Sequence, residues 1–188
     1  MEGHNSRTEN GRRITESGSD VSEWLARRRV TLGFVCGAAA LVLARPTWAT
    51  WMIGCSVAVV GEAVRIWAAG HLEKDREVTS SGPYRFTAHP LYVGSAIMGV
   101  GFAIAASSII VAGLVGLYLV TTLSAAVRRE EAFLRTTFGE RYQAYQTGSA
   151  KPSRTFSLDR VHRNREYRAV GGLCVVALIL ALETALRG

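Results

Sequence analysis

Charge is absent from this chain where a soluble protein would need it. No Asp, Glu, Lys or Arg falls between Leu91 and Val127. Long uncharged runs separated by charged blocks are the pattern of a helical membrane protein, and they exclude an ordinary soluble globule. Cysteine is also scarce: Cys36, Cys55 and Cys174 lie far apart inside apolar runs. They have no metal-ligand spacing, so they read as small core residues, with neither a disulfide framework nor a metal site. No nucleic-acid-binding motif accompanies the net charge of +7. The basic residues sit in loops between apolar segments, where orientation in a membrane accounts for them and no nucleic-acid partner is needed. A dinucleotide fingerprint is missing too, which argues against a nicotinamide-dependent reductase.

What is present is enough for one domain of 188 residues. Residues 1–29 are polar and rich in Ser, Asn, Gly, Glu and Arg, and are expected to form a disordered basic cytosolic arm. The arm is too long and too acidic in its first part for the n-region of a signal peptide, so no cleavage is expected. Residues 30–188 form the expected membrane domain. Its spans are predicted at about 30–44, 48–69, 91–106, 108–127 and 169–186, with an interfacial helix at about 129–146. A single helix over Leu91 to Val127 would overshoot a bilayer of about 30 Å by about 25 Å, so a tight hairpin broken near Ala106–Ser108 fits better. Six Lys or Arg in the arm, three in the loop before Pro90 and ten in Arg128–Arg168 face only Arg45 and Arg187 on the other side. The expected fold is therefore all-α and polytopic, with about five transmembrane helices and a cytosolic N-terminus. Glu62 and Arg65, three apart in the second span, read as an ion pair, either self-satisfied or forming a wall of a cavity.

The stretch Thr79–Gly94, TSSGPYRFTAHPLYVG, organises the rest. Pro83, Pro90 and small turn residues make it a loop that runs into a helix, with Pro90 in the first turn and His89 at the helix mouth. The hairpin returns Arg128, Arg129, Glu130 and Glu131 to the same face as His89 and Tyr92. Phe133, Leu134, Phe138, Tyr142 and Tyr145 follow at helical spacing, as an aromatic cover for that face, and Gly139 interrupts them without ending the pattern. The basic stretch Lys151–Arg168 is expected to lie against anionic headgroups. Both polar clusters open toward the cytosol, where a soluble cosubstrate enters, while a lipophilic substrate comes sideways between helices. Read singly, His89 is as well explained as a helix cap, and Glu130–Glu131 as a helix start favoured by the dipole.

Gly82-Pro83-Tyr84, His89-Pro90-Leu91-Tyr92, a charge-free hairpin, then Glu130-Glu131, Leu134, Phe138-Gly139, Tyr142 and Tyr145 resemble the isoprenylcysteine carboxyl methyltransferase family. The likeness covers roughly Glu62 to Tyr145. It extends more distantly to phospholipid N-methyltransferases and membrane sterol reductases. It implies S-adenosyl-L-methionine as cofactor and methyl transfer at the cytosolic membrane face. The acceptor implied is a carboxyl or hydroxyl on a prenyl, polyketide or fatty-type molecule. Carried over residue by residue, it implies cofactor binding by Arg76, Glu77, Val78, Thr79, Tyr84, His89, Pro90, Leu91, Tyr92 and Glu130. His89 and Tyr92 suit the donor's carboxylate, and Glu130 or Glu131 suits its ribose or its positive charge. His89 and Glu131 are candidate bases for a phenol or enol acceptor, and Arg128 and Arg129 candidate holders of an acidic one. The sequence departs from the family where its substrate-holding Arg aligns on Ala126, and where Ala88 replaces the Arg before the His-Pro pair. The competing functions are a phospholipid-type N-methyltransferase, an NADPH-dependent membrane reductase, and a non-enzymatic membrane protein whose loops bind a partner or anionic lipid.

Overall fold

The computed structural model describes residues 31, 33–73, 78–149 and 155–187. The expected disordered arm, Arg76, Glu77 and the start of the basic stretch from Lys151 lie outside the described residues. Those described form helices α1 (Gly33–Leu43), α2 (Trp48–Ala69), α3 (Pro90–Ala106), α4 (Ile109–Gln146), α5 (Leu158–Arg163) and α6 (Tyr167–Arg187), with a 3₁₀ turn at Gly82–Arg85. No strand occurs among them. Helices α2, α4 and α6 are long and apolar enough to cross a bilayer, and α1 and α3 are shorter apolar helices. Phe34, Val42, Leu117, Val120, Leu178 and Leu182 are exposed on them, as lipid-facing side chains are. The fold is that of a polytopic helical membrane protein.

Helix α2 starts on a reciprocal cap. The Thr47 hydroxyl accepts from the Thr50 N–H at 3.2 Å, and the Thr50 hydroxyl accepts from the Thr47 N–H at 2.9 Å. At the same end, Trp51 Nε1 donates to the Ala177 carbonyl at 2.8 Å, tying α2 to α6. Helices α2 and α3 approach until their backbones touch. A Cβ on Gly61 would lie 2.6 Å from the Met98 nitrogen, and one on Gly101 2.5 Å from the Ala58 nitrogen. Only glycine permits that spacing, which makes α2 and α3 one unit.

The hairpin turns at Ser107, in the left-handed region (φ 49°), and Ser108 caps α4. Helix α4 corrects the expected division into a span at 108–127 and a separate interfacial helix at 129–146. It continues unbroken past Val127, and its only non-helical residue is Gly139 (φ 40°, ψ −110°). Strong helix formers in Arg128–Leu134 supply no stop signal, so the rod leaves the apolar layer and bends only at the glycine.

The basic stretch, expected to rest on headgroups, also makes contacts within the protein. Its described part latches onto the C-terminus of α2, whose last carbonyls need donors. Gly70 O accepts from the Ser157 N–H at 3.0 Å and from Arg160 Nε at 2.8 Å. Asn164 Nδ2 donates to Ala69 O at 2.9 Å and to Leu72 O at 3.1 Å. This latch delivers Glu166 to the side of α2.

Candidate active site

His89 precedes α3 as its N-cap residue, but its ring makes no capping hydrogen bond. Pro90 occupies the first turn, where no N–H is needed, so the imidazole is left to face inward. Nδ1 lies 3.4 Å from a Glu130 carboxylate oxygen and Nε2 lies 3.6 Å from a Glu131 oxygen. These are ion-pair separations, and neither buried ring nitrogen has a well-formed hydrogen-bond partner among the described residues. Tyr92 stacks on the ring at 5.6 Å. The two glutamates sit deep within α4, not in its first turn, so the helix dipole does not explain them. The Glu130 carboxylate, helped by Glu131, holds His89 above its ordinary pKa of 6.5 against the opposing effect of burial.

His89 forms part of the wall of a cavity of about 470 Å³. Six residues of the expected cofactor set converge on it: Tyr84, His89, Pro90, Leu91, Tyr92 and Glu130. Phe133, Leu134 and Phe138 from α4 close one side, and Arg129 and Glu166 also reach it. Thr79 is buried and Val78 half-buried, but neither lines this space. A wider vestibule of about 700 Å³ lies on the other side of Tyr84 and Ala88, where Glu131 meets Tyr142 and Tyr145. The bend at Gly139 folds the end of α4 back, so that the Tyr145 hydroxyl donates to Tyr84 O at 2.7 Å and Tyr142 is buried. Burial, and the Glu130 charge after it, raises the pKa of the Tyr84 phenol. Burial likewise raises Tyr142 and Tyr145. All three phenols therefore remain neutral hydrogen-bonding groups near neutral pH.

The structure divides the paired arginines. Arg129 borders the cavity, whereas Arg128 is exposed and lines neither space, as consecutive positions on one helix must diverge. The cation that sequence reasoning undervalued is Arg65. It lies 3.5 Å from Glu62, its Nη1 donates to the Ser95 hydroxyl at 2.5 Å, and its Nη2 reaches both oxygens of Glu166 at 3.0 and 2.8 Å. Glu166 was not anticipated at all. Its one local signal is that it is the only acid between Asp159 and the last span. Among the described residues, no group of three or more His, Cys, Asp or Glu is placed to hold a metal ion.

A cavity bordered by acids, tyrosine faces and an imidazole paired with carboxylates suits a ligand that carries both a cationic centre and hydrogen-bonding groups. The family model described as phospholipid methyltransferase matches residues 32–141, which include His89, Glu130 and Glu131. The chain is 32% identical over 124 residues to the cobalt-zinc-cadmium resistance protein CzcN of Cupriavidus metallidurans, covering 60% of this chain and 55% of that protein. It is 29% identical over 137 residues to the nickel-cobalt-cadmium resistance protein NccN of Alcaligenes xylosoxydans xylosoxydans, covering 65% of this chain and 63% of that protein. The aligned part thus spans less than two thirds of either relative. No solved structure matches the chain.

Proposed function

The chain belongs to the phospholipid methyltransferase family, and from that premise we infer that it transfers a methyl group from S-adenosyl-L-methionine to a lipophilic acceptor at the cytosolic face of the membrane. The observation that carries this reading is the convergence of Tyr84, His89, Tyr92 and Glu130 on one cavity, with the imidazole held between Glu130 and Glu131. The cofactor, when bound, supplies a methyl group already activated on a sulfonium. Tyr84 and Glu130 provide π-faces and negative charge for its cationic centre. His89, its pKa raised by Glu130, faces the cofactor's carboxylate. Phe133, Leu134 and Phe138 keep water from the reacting atoms, so the protein's contribution is alignment and desolvation.

Tyr84, His89 and Glu130 would hold the cofactor, which would supply its methyl to an acceptor oxygen and keep the electron pair of the carbon–sulfur bond. A carboxylate acceptor then needs no base. A hydroxyl acceptor releases one proton, which Glu131 or His89 in its neutral form is placed to receive. The narrower likeness to isoprenylcysteine carboxyl methyltransferases supports oxygen as the accepting atom, and a prenyl, polyketide or fatty-type chain as the substrate class. The test is calorimetric titration of the purified protein in lipid nanodiscs with S-adenosylhomocysteine. Binding in the micromolar range, abolished by His89→Ala, is expected. A wild-type protein that binds none of it would refute the reading.

A further inference from the structure

A third cavity lies away from the site, inside the apolar layer. It has a volume of about 370 Å³, the size of a small ligand site. Its walls come from five helices, through Gly37 and Ala40 of α1, Arg65 of α2, Met98 and Phe102 of α3, Tyr118 of α4 and Ala169 of α6. The lining is mostly apolar, but one end holds Arg65 and Ser95. The same guanidinium that bonds Ser95 also grips Glu166, and Glu166 lines the 470 Å³ cavity. One ion pair therefore stands between an apolar groove and the chamber that holds His89. Glu166 lies outside the residues that match the family, so the family match does not account for it.

We propose that this groove holds the hydrocarbon chain of the methyl acceptor, and that Arg65 receives the acceptor's anionic head in exchange for Glu166. The proposal rests on the methyltransferase reading for the word acceptor, but the groove and its cation stand on the geometry alone. Charge fixes the kind of occupant. A cation in the wall of an otherwise mostly apolar groove matches a single-chain amphiphile with an acidic head. Glu62 lies within 3.5 Å of Arg65, so the arginine already faces two carboxylates. Exchanging one carboxylate for another keeps the guanidinium paired, whereas a neutral head would leave Glu166 in place and the passage shut. This assigns to Arg65 the task that Ala88 and Ala126 cannot perform, and makes Glu166 its internal competitor.

Gly37 offers a way to block the groove without disturbing the fold, because a Cβ built there meets nothing within 4 Å. The experiment uses the full chain in phosphatidylcholine nanodiscs and two photoreactive probes of equal length, a long-chain alkyl carboxylate and the corresponding alcohol. Labelled residues are mapped by mass spectrometry. In the wild type the carboxylate should label Met98, Phe102 or Tyr118 about fivefold more than the alcohol does. Glu166→Gln, which removes the competitor, should raise carboxylate labelling about threefold, and Arg65→Gln should reduce it to the alcohol's level. Gly37→Phe should lower labelling by both probes about tenfold while S-adenosylhomocysteine still binds. Equal labelling by the two probes in the wild type would overturn the role of Arg65, as would a Glu166→Gln protein with unchanged or weaker carboxylate labelling. This second arm decides the matter even if Arg65→Gln fails to fold. Undiminished labelling of Gly37→Phe would overturn the groove itself. Loss of S-adenosylhomocysteine binding in the wild type, with the labelling pattern intact, would remove the methyltransferase reading and leave the groove standing.

Discussion

Replacing Gly94 by alanine adds one methyl group at the point where packing and chemistry meet. The new Cβ would lie 2.6 Å from Arg65 Cγ, 2.7 Å from the Gly61 carbonyl oxygen and 3.2 Å from the Arg65 nitrogen. Ordinary contact begins at 3.4 Å, so the backbone of α2 must retreat from α3 by about 0.7 Å. Overpacking of this kind costs about 1–3 kcal/mol. The displacement has two ends. His89 rides at the N-terminus of α3, and Arg65 rides on α2 with Glu166 attached. Misplacement of catalytic groups by about 1 Å lowers rates by about a hundredfold. Gly94→Ala should therefore fold with a reduced melting temperature in detergent, and bind S-adenosylhomocysteine about tenfold to a hundredfold more weakly. The control is Gly113→Ala on α4, where the added Cβ meets nothing within 4 Å. Alanine at a helical position of that kind stabilises by about 0.5–1 kcal/mol, so the control should melt no lower than the wild type and bind as well. Thermal denaturation and calorimetry on the two variants side by side decide it. If they behave alike, the backbone contact between α2 and α3 does not set the site geometry.

Protonation of His89 gives a pH signature. Its folded-state pKa is raised above the ordinary 6.5, so the stabilisation it contributes is complete below about pH 6.5 and is lost as pH rises through the raised value. Affinity for S-adenosylhomocysteine should fall over the same window. Glu130→Gln should move the midpoint down, and a midpoint unmoved in that variant would contradict the assignment. Tyr145→Phe removes the hydrogen bond that fastens the folded-back end of α4 to Tyr84. It should cost about 1 kcal/mol and speed amide exchange in Gln143–Gly148, measured by hydrogen–deuterium exchange, and unchanged exchange there would count against a fastened roof.

The parts of this fold that could be read in advance are those with a local cause. A charge-free stretch too long for one span, with a serine pair near its middle, has to turn back. The return brings the acids of α4 to the imidazole ahead of α3. Pro90 marks the start of α3 because no other position in a helix tolerates it so well. What escaped prediction depends on partners distant in sequence. Arg65 and Glu166 are 101 residues apart, and nothing near either one names the other. The latch of α5 onto α2 was hidden for the same reason. A basic stretch beside a membrane suggests headgroups, and only the folded chain shows that Arg160 and Asn164 answer the open carbonyls of a helix end. The continuity of α4 failed for a different reason. Four charged residues in a row, Arg128 to Glu131, look like the end of a span, but they favour the helix and end only its burial in lipid. Both departures from the family pattern, at Ala88 and Ala126, line the cavity and leave its walls short of a cation. Arg129, a candidate from the sequence, borders that space, while Arg65 lines the neighbouring groove and reaches the cavity only through Glu166.

One rod thus does two jobs. From Ser108 to Glu130, α4 runs about 33 Å without interruption at 1.5 Å per residue. Its far part supplies Ala126, Arg129, Glu130, Phe133, Leu134 and Phe138 to the wall of the 470 Å³ cavity, and its near end starts at the hairpin turn. A pivot of about 5° at the serine would sweep the acids through about 3 Å, nearly the whole separation that joins them to the imidazole. Packing against neighbouring helices sets helix lean in a bilayer, so the close fit of Gly99 on α3 against Leu119 on α4, which leaves no room for an added Cβ, governs how far the acids stand from the ring.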